Sequence, residues 1–258
     1  MNVVENVTKA AIERHLHTTV FGRELQVAAV LPSTNTTARA LAQDGAPEGT
    51  VVVAAAQTAG RGTRSRSFFS PQGGVYMSII LRPREADGCL ITSCAAVAVA
   101  RAIEQLCPLG VQVKWVNDLY VGGRKLCGIL TEAGFTPDNR LDFVVLGIGV
   151  NVAAVDFPTD IADIATSLGN EGCAVDRNAL IAAILEEWET AYATIGSGDF
   201  LAESRTRSCV LGRRITVIRG NEQFVAVAKD IDGQGHLIVQ KDSGETVTLH
   251  SGEVSIRT

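Results

Sequence analysis

The 258-residue chain has no apolar run of the roughly 18 to 20 residues that a helix needs to cross a bilayer. Its most apolar stretch, Cys89–Val99, is interrupted by Thr92 and Ser93 and followed by Arg101, which predicts a buried helix. The opening residues Met1-Asn2-Val3-Val4-Glu5 lack both the basic flank and the apolar core of a secretory signal. A surplus of basic residues is also missing. Lys and Arg number 23 against 28 Asp and Glu, a formal net charge of −5, whereas general binding to nucleic-acid backbones demands the reverse. Only a local basic site is left open. The six cysteines at 89, 94, 107, 127, 173 and 209 form no C-x-x-C pair, and no His stands at zinc-finger spacing from any two of them. They read as reduced structural thiols in a cytoplasmic protein, with Cys127 a small hydrophobe inside Leu126–Leu130.

What is present divides into two parts. Up to about residue 205, helices alternate with strands. Asn6–Leu16, Thr36–Leu41, Leu90–Leu106 and Asp176–Ile195 read as helices, the last with Asp176 as N-cap. Leu25–Leu31, Thr50–Ala56, Val75–Leu81 and the near-continuous apolar run Leu141–Val150 read as strands. Val111–Trp115 and Leu119–Val121 are shorter strands, and Gly122-Gly123 is a two-residue hairpin turn into Lys125–Glu132. Beyond Leu211 only short strands with tight turns remain, about the size of a small β-barrel. The expected architecture is an α+β catalytic domain over 1–205 and a small all-β domain over 206–258.

Chemistry concentrates in two segments. In Gln57–Pro71, Arg61, Arg64 and Arg66 alternate with small residues directly after a buried strand. Small residues such as Gly60 and Gly62 let backbone N–H groups approach an anion, and arginines add bidentate contacts to phosphate or carboxylate. The segment is not a Walker A loop, because no Lys-Ser or Lys-Thr follows its glycines, and it is not the dinucleotide fingerprint. An exposed basic loop without a ligand has the same composition. In the second segment, Lys114-Trp115-Val116-Asn117-Asp118 ends one strand and Lys125 begins the returning arm of a hairpin, so both lysines can point into one pocket. Fixed ammonium groups suit a reaction that moves negative charge onto phosphoryl oxygens; two ordinary surface lysines are the plainer alternative. Gly128 inside an apolar strand suggests close approach by a ligand or backbone. Ser33-Thr34-Asn35 stands where an N-cap is the default role. Gly147-Ile148-Gly149-Val150-Asn151 closes a buried strand with two glycines and could flank a flat ligand.

In this order the segments resemble the biotin protein ligases. That family has Ser-Thr-Asn, then a Gln-x-x-Gly-Arg-Gly-Arg-x-Gly-Arg-x-Trp-x-Ser-Pro loop and Lys-Trp-Pro-Asn-Asp. An Arg/Lys-Lys-hydrophobic-x-Gly-Ile-Leu segment, Gly-x-Gly-hydrophobic-Asn and a C-terminal Gly-Glu-hydrophobic-Ser-hydrophobic-Arg follow. Here they stand as Ser33–Asn35, Gln57–Pro71, Lys114–Asp118, Arg124–Leu130, Gly147–Asn151 and Gly252–Arg257. The resemblance implies a class II synthetase-like mixed sheet with helices, followed by an SH3-like domain. It implies an ATP-dependent ligase that makes biotinyl-5′-AMP from biotin and ATP, with Mg2+ accompanying ATP rather than fixed by protein ligands alone. The biotinyl group then passes to a lysine of a biotin carboxyl carrier protein. By the same resemblance Lys125, Lys114 and Arg61 are catalytic. Ser33, Thr34, Asn35, Gln57, Gly60, Gly62, Thr63, Gly128, Leu130, Gly147 and Gly149 join Arg61 and Lys125 around biotin. Arg64, Arg66, Phe68, Asn117, Asn151 and Arg257 line the adenylate side.

Bifunctional members of the family carry an N-terminal DNA-binding domain. With some 25 residues ahead of the core, this chain is expected to be a short form with no DNA or membrane partner, and homodimers are common in the family. Thr63, Ser65 and Phe68 depart from the family's Arg, Gly and Trp, and Thr63 removes a cation that would help retain the adenylate. A lipoate or octanoate ligase of the same fold is the nearest rival, disfavoured by Ser33–Asn35 and Gln57. A non-catalytic carrier binder is the rival from another class, and the retained Lys114 and Lys125 argue against it.

Overall fold

The computed structural model describes residues 6–63, 66–83, 88–219 and 222–256. Its main sheet grows from the β-branched runs seen in the sequence: β1 (Leu25–Leu31), β2 (Val51–Gln57), β3 (Val75–Leu81), β4 (Gln112–Lys114), β5 (Asp118–Val121), β6 (Arg124–Phe135) and β7 (Leu141–Val150). Their order is β1-β2-β3-β7-β6-β5-β4, with β1 and β2 parallel and the other neighbours antiparallel. Gly122 and Gly123, both at positive φ, turn β5 into β6 as the two-residue hairpin requires.

The expected helix over Asn6–Leu16 is confined to α1 (Lys9–Glu13). Helices cover both faces of the sheet, and strand alternation sorts the side chains between them. Met77, Ile79, Leu146, Ile148 and Ile129 point into the large core made with α3 (Gly88–Leu106) and α4 (Arg177–Ala193). Val52, Ile80, Phe143 and Val145 point the other way, under Ala38 and Ala42 of α2 (Thr34–Gln43). Ser33 caps α2, its Oγ accepting from the Thr36 amide at 3.4 Å. Helix α3 is long and apolar enough to cross a membrane by length and composition alone, yet it lies in the core between sheet and α4. Each aliphatic side chain sealed there contributes roughly 1.5–3 kcal/mol.

A helix absent from the sequence reading, α5 (Phe200–Arg207), follows α4. Only its adjacent Phe200 and Leu201 are apolar and buried, so no helical period announces it. Its charges hold it in place: Arg207 pairs with Glu104 of α3 at 2.7 Å and with Glu203 at 2.7 Å, and Glu203 accepts from Arg101 at 2.6 Å. The expectation of six reduced thiols is also corrected. Cys107, just past α3, and Cys173, ahead of α4, form a disulfide with Cα atoms 6.2 Å apart, within ordinary disulfide reach. The two lie 66 residues apart, so sequence spacing could not reveal a pair made by packing α3 against α4.

The C-terminal strands β8 (Arg214–Arg219), β9 (Glu222–Ile231), β10 (Leu237–Lys241), β11 (Thr246–Leu249) and β12 (Glu253–Ile256) form a five-stranded antiparallel sheet in the order β11-β10-β9-β8-β12. Polar ties fasten it to the rest. The buried Trp115 indole donates to the Gly235 carbonyl at 2.9 Å, the Cys89 thiol donates to the His250 carbonyl, and Arg205 reaches Asp230 at 2.9 Å.

Candidate active site

A pocket opens on the α2 face of the main sheet, and its floor is paved with glycine. Gly128 of β6 faces Gly149 of β7, and Leu130 faces Gly147. These glycines are required by their neighbours rather than by φ. A Cβ at Gly147 would stand 2.0 Å from Asn35 Oδ1, one at Gly149 2.7 Å from Phe68 Cε1, and one at Gly128 3.0 Å from Phe68 Cε2. Without side chains on the floor, Asn35 settles onto β7 and the Phe68 ring roofs the space between the strands.

One end of the pocket is a hydrogen-bonding network of neutral side chains, tied behind to the Glu132 carboxylate. Ser78 of β3, fully buried, donates to Asn35 Oδ1 at 2.6 Å and lies 2.8 Å from Thr34 Oγ1. The Thr34 amide donates to Gln57 Oε1 at 2.8 Å, with the Thr34 hydroxyl 3.1 Å from the same oxygen, and Gln57 Nε2 donates to Ser70 Oγ at 2.9 Å. Asn35 Nδ2 donates to Glu132 Oε2 at 2.8 Å. Such buried groups accept a ligand only if it offers matching donors and acceptors, since an unpaired one costs about 1–3 kcal/mol.

The other end carries charge. Lys125 Nζ is 2.6 Å from Asp118 Oδ1 and 5.8 Å from the centre of the Phe68 ring. Asp118 reaches this spot because it pairs with Gly128 across the hairpin, ahead of a register shift between Leu119 and Tyr120. Lys114 is the direct cross-strand neighbour of Asp118, but its ammonium turns to Tyr120, 3.3 Å from the hydroxyl and 5.3 Å from the ring centre. Burial first, then the Asp118 charge, push the Tyr120 phenol up to about 12, so it stays neutral at physiological pH.

The segment after β2 makes a narrow excursion over the pocket. Its ends are joined by Gln57 N to Ser70 O at 3.0 Å and Phe68 N to Gly60 O at 2.9 Å, and its tip by Gly62 N to Arg66 O at 2.8 Å. Gly60 is essential to this closure, since a Cβ there would lie 2.4 Å from the Phe68 carbonyl. Two ion pairs clasp the excursion: Arg61 to Glu132 on β6 at 2.9 Å, and Arg66 to Glu253 on β12 at 2.5 Å. The hydrogen bond to Glu253, with its charge, raises the Arg66 guanidinium further above its usual range.

Ser33, Thr34, Asn35, Gln57, Arg61, Gly62, Thr63, Phe68, Asn117, Lys125, Gly128, Leu130, Gly147 and Gly149 thus meet in one pocket. Gly60 braces the excursion behind it. Lys114 stands outside, as does Asn151, whose amide donates to the Thr166 carbonyl at 2.9 Å. Arg64, Ser65 and Arg257 lie outside the described residues. A cleft of about 660 Å³ between the main sheet and the C-terminal sheet shares Thr63, Asn117, Ile129 and Leu130 with the pocket and is bounded beyond by His236 and His250. Ser78, Asp118 and Glu132, which do not line the pocket but hold Asn35 and Lys125 in place, were not among the expected residues. The polar interruption of Val75–Leu81 was the one signal for Ser78; the other two are visible only through strand register.

Residues 27–151 match the Biotin/lipoate A/B protein ligase family, and residues 210–257 the Biotin protein ligase C terminal domain. The chain is 39% identical over 252 residues to the bifunctional ligase/repressor BirA of Bacillus subtilis, covering 92% of this chain and 76% of that one. It is 35% identical to the biotin–[acetyl-CoA-carboxylase] ligase of Mycobacterium tuberculosis, over 90% of this chain and 88% of that one. Among solved structures, the biotin protein ligase from Aquifex aeolicus in complex with biotin and ATP aligns with a TM-score of 0.80 at 25% identity. That alignment spans 91% of this chain and 99% of the other.

Proposed function

The chain belongs to the biotin protein ligases, and from that premise we propose how its own residues carry the reaction. It is a biotin–[acetyl-CoA-carboxylase] ligase. Biotin and ATP give biotinyl-5′-AMP and pyrophosphate; the ε-amine of a carrier-protein lysine then takes the biotinyl group, and AMP leaves.

The observation that carries the residue assignment is the polarity of the pocket, neutral at the Thr34–Ser78–Gln57 end and cationic at Lys125. The uncharged bicyclic head of biotin, which both donates and accepts hydrogen bonds, suits the first end. That head lies over Gly147 and Gly149 beneath Phe68, and the carboxylate at the end of its chain points to Lys125. Adenylation needs no protein nucleophile: a carboxylate oxygen attacks the α-phosphorus and pyrophosphate departs. The Lys125 ammonium neutralises the carboxylate on approach and the α-phosphoryl oxygens as charge gathers on them. Asp118, 2.6 Å away, aims that ammonium. Lys114, opposite Asp118 in register, adds positive potential without touching the ligand. The backbone of Gly60–Thr63 closes over the carboxylate end. MgATP is the second substrate, entering beside Asn117, with Arg66 on the adenylate side.

Lipoate fits the same elongated space, but its dithiolane offers nothing to Ser78, Thr34 or Gln57. A site built to hydrogen-bond its substrate rejects an analogue without those groups by roughly 10⁴–10⁵. For the acceptor lysine, the cleft that meets the pocket at Thr63 and Asn117 is the route. We take 1–205 as the catalytic unit and 206–258 as a second domain bordering this route, and a reaction fed by ATP favours the cytoplasm.

Pyrophosphate release with biotin and with lipoate, in the native protein and in Lys125→Ala, tests this reading. Turnover is expected with biotin alone and should fall more than about a hundredfold in Lys125→Ala at unchanged melting temperature. Preference for lipoate, or normal turnover in Lys125→Ala, would overturn it.

A further inference from the structure

Resting on the reading of this pocket as a biotin site, we propose that Glu132 is a positioning residue that links occupation of the head-group end to closure of the Gln57–Pro71 excursion. Glu132 lies two residues beyond Leu130 on the same face of β6, past the end of the pocket. Its carboxylate divides its two oxygens: Oε1 takes Arg61 Nη2 at 2.9 Å, and Oε2 takes Asn35 Nδ2 at 2.8 Å.

An ordinary surface ion pair contributes almost nothing. This one differs in two respects. The Glu132 side chain is only 16% exposed, although Arg61 is half exposed. And its second oxygen completes a continuous circuit, Arg61–Glu132–Asn35–Ser78–Thr34–Gln57–Ser70, in which the Thr34 hydroxyl serves Ser78 while the Thr34 amide holds Gln57. The circuit leaves the excursion at Arg61, passes through the head-group end and rejoins the excursion at Ser70. A ligand that fixes Thr34 and Asn35 in their present orientations therefore also fixes the oxygen that holds Arg61. Conversely, release of Arg61 leaves Asn35 tied to a carboxylate free to swing. Glu132 touches no substrate; it acts through Arg61 and Asn35.

Glu132→Gln keeps an oxygen for Asn35 and removes the charge that holds Arg61. The biotin KM should rise about 3- to 10-fold with kcat for pyrophosphate release moving less than twofold. Escape of biotinyl-adenylate should quicken about 5- to 20-fold, the range of one charge-assisted contact near a surface. Biotin should protect native protein from tryptic cleavage after Arg61 and Arg66 and protect Glu132→Gln far less. In a double-mutant cycle, Glu132→Gln with Arg61→Gln should be no leakier than Arg61→Gln alone. Should Glu132→Gln fold poorly, Glu132→Asp decides: it retains the charge but is too short to span both partners, and should fall between native protein and the Gln variant. Unchanged KM, escape and protection would overturn the proposal, as would strict additivity with Arg61→Gln. If native protein released no pyrophosphate with biotin, the fault would lie in the function assigned to the pocket and not in Glu132.

Discussion

The glycine floor supports a graded prediction. Replace Gly147, Gly149 and Gly128 singly with Ala, so that the same methyl group is added at three places. At Gly147 it would arrive 2.0 Å from Asn35 Oδ1, well inside contact distance, and Asn35 is tethered by Ser78, Glu132 and the Leu130 carbonyl. The methyl group can be admitted only by displacing Asn35 and giving up most of those bonds. At about 1 kcal/mol for each neutral bond and somewhat more for the carboxylate, the loss is roughly 2–4 kcal/mol, or 30- to 700-fold. At Gly149 and Gly128 the obstacle is the Phe68 ring, at 2.7 and 3.0 Å, and a half-buried ring on an excursion can shift. Biotin KM from pyrophosphate release should rise steeply in Gly147→Ala, by about tenfold or less in Gly149→Ala, and least in Gly128→Ala. Thermal melting should show all three folded. A Gly147→Ala variant no weaker than Gly128→Ala would refute the reasoning, because Asn35 would then not be fixed by its bonds.

Thr63 borders both the pocket and the cleft between the two sheets, so Thr63→Arg should place a cation at their junction and slow escape of biotinyl-adenylate; equal or faster release counts against it. Glu104 is held below the usual carboxylate range chiefly by its hydrogen bond from Arg207, and Glu203 likewise, where bonds from Arg101 and Arg207 outweigh burial. A carboxyl of lowered pKa binds protons more readily in the unfolded chain, so its contribution is complete above about pH 5 and is lost as pH falls below about 4.3. The urea midpoint should therefore be level near neutrality and drop in acid, with a shallower acid limb in Glu104→Gln. Unfolded without reductant, the chain should expose four thiols to a maleimide, and six after reduction. Closing the Cys107–Cys173 loop should contribute about 4 kcal/mol by chain entropy, and six reactive thiols before reduction would contradict the bridge.

Much of this architecture was legible in the residues. Val51–Ala54, Val75–Leu81 and Leu141–Val150 are strands because β-branched and apolar side chains dominate where both sheet faces are covered, broken only by Ser78 and Asp142. Gly122-Gly123 fixed a hairpin, and the ordered motifs placed Lys125, Thr34, Gln57 and Gly147 in one pocket. What stayed hidden depends on register and packing. Lys114 and Lys125 look equivalent in sequence, yet Lys114 turns to Tyr120 while Lys125 takes Asp118 beside a register shift. Ser78 is one polar residue in a run that otherwise reads as core, and its role appears only when Gly147 is found opposite it. Helix α5 is held by Arg101, Glu104, Glu203 and Arg207, whose pairings join distant segments and leave no periodic trace.

The alternation of β7 has a further consequence. Val144, Leu146, Ile148 and Val150 pack the α3–α4 core, while Val145, Gly147 and Gly149 belong to the α2 face and the pocket. Two vocabularies are interleaved along a single strand, one specifying what the protein is and the other what it recognises. Substitutions at 147 and 149 can therefore redirect recognition while leaving the core packing almost unchanged, and 144, 146 and 150 can drift among aliphatics without altering the ligand. The change this arrangement cannot absorb is a one-residue insertion or deletion. It would exchange the two vocabularies at a stroke, sending isoleucine into the pocket and glycine into the core. Over evolutionary time such a strand should vary freely in letter and hardly at all in length.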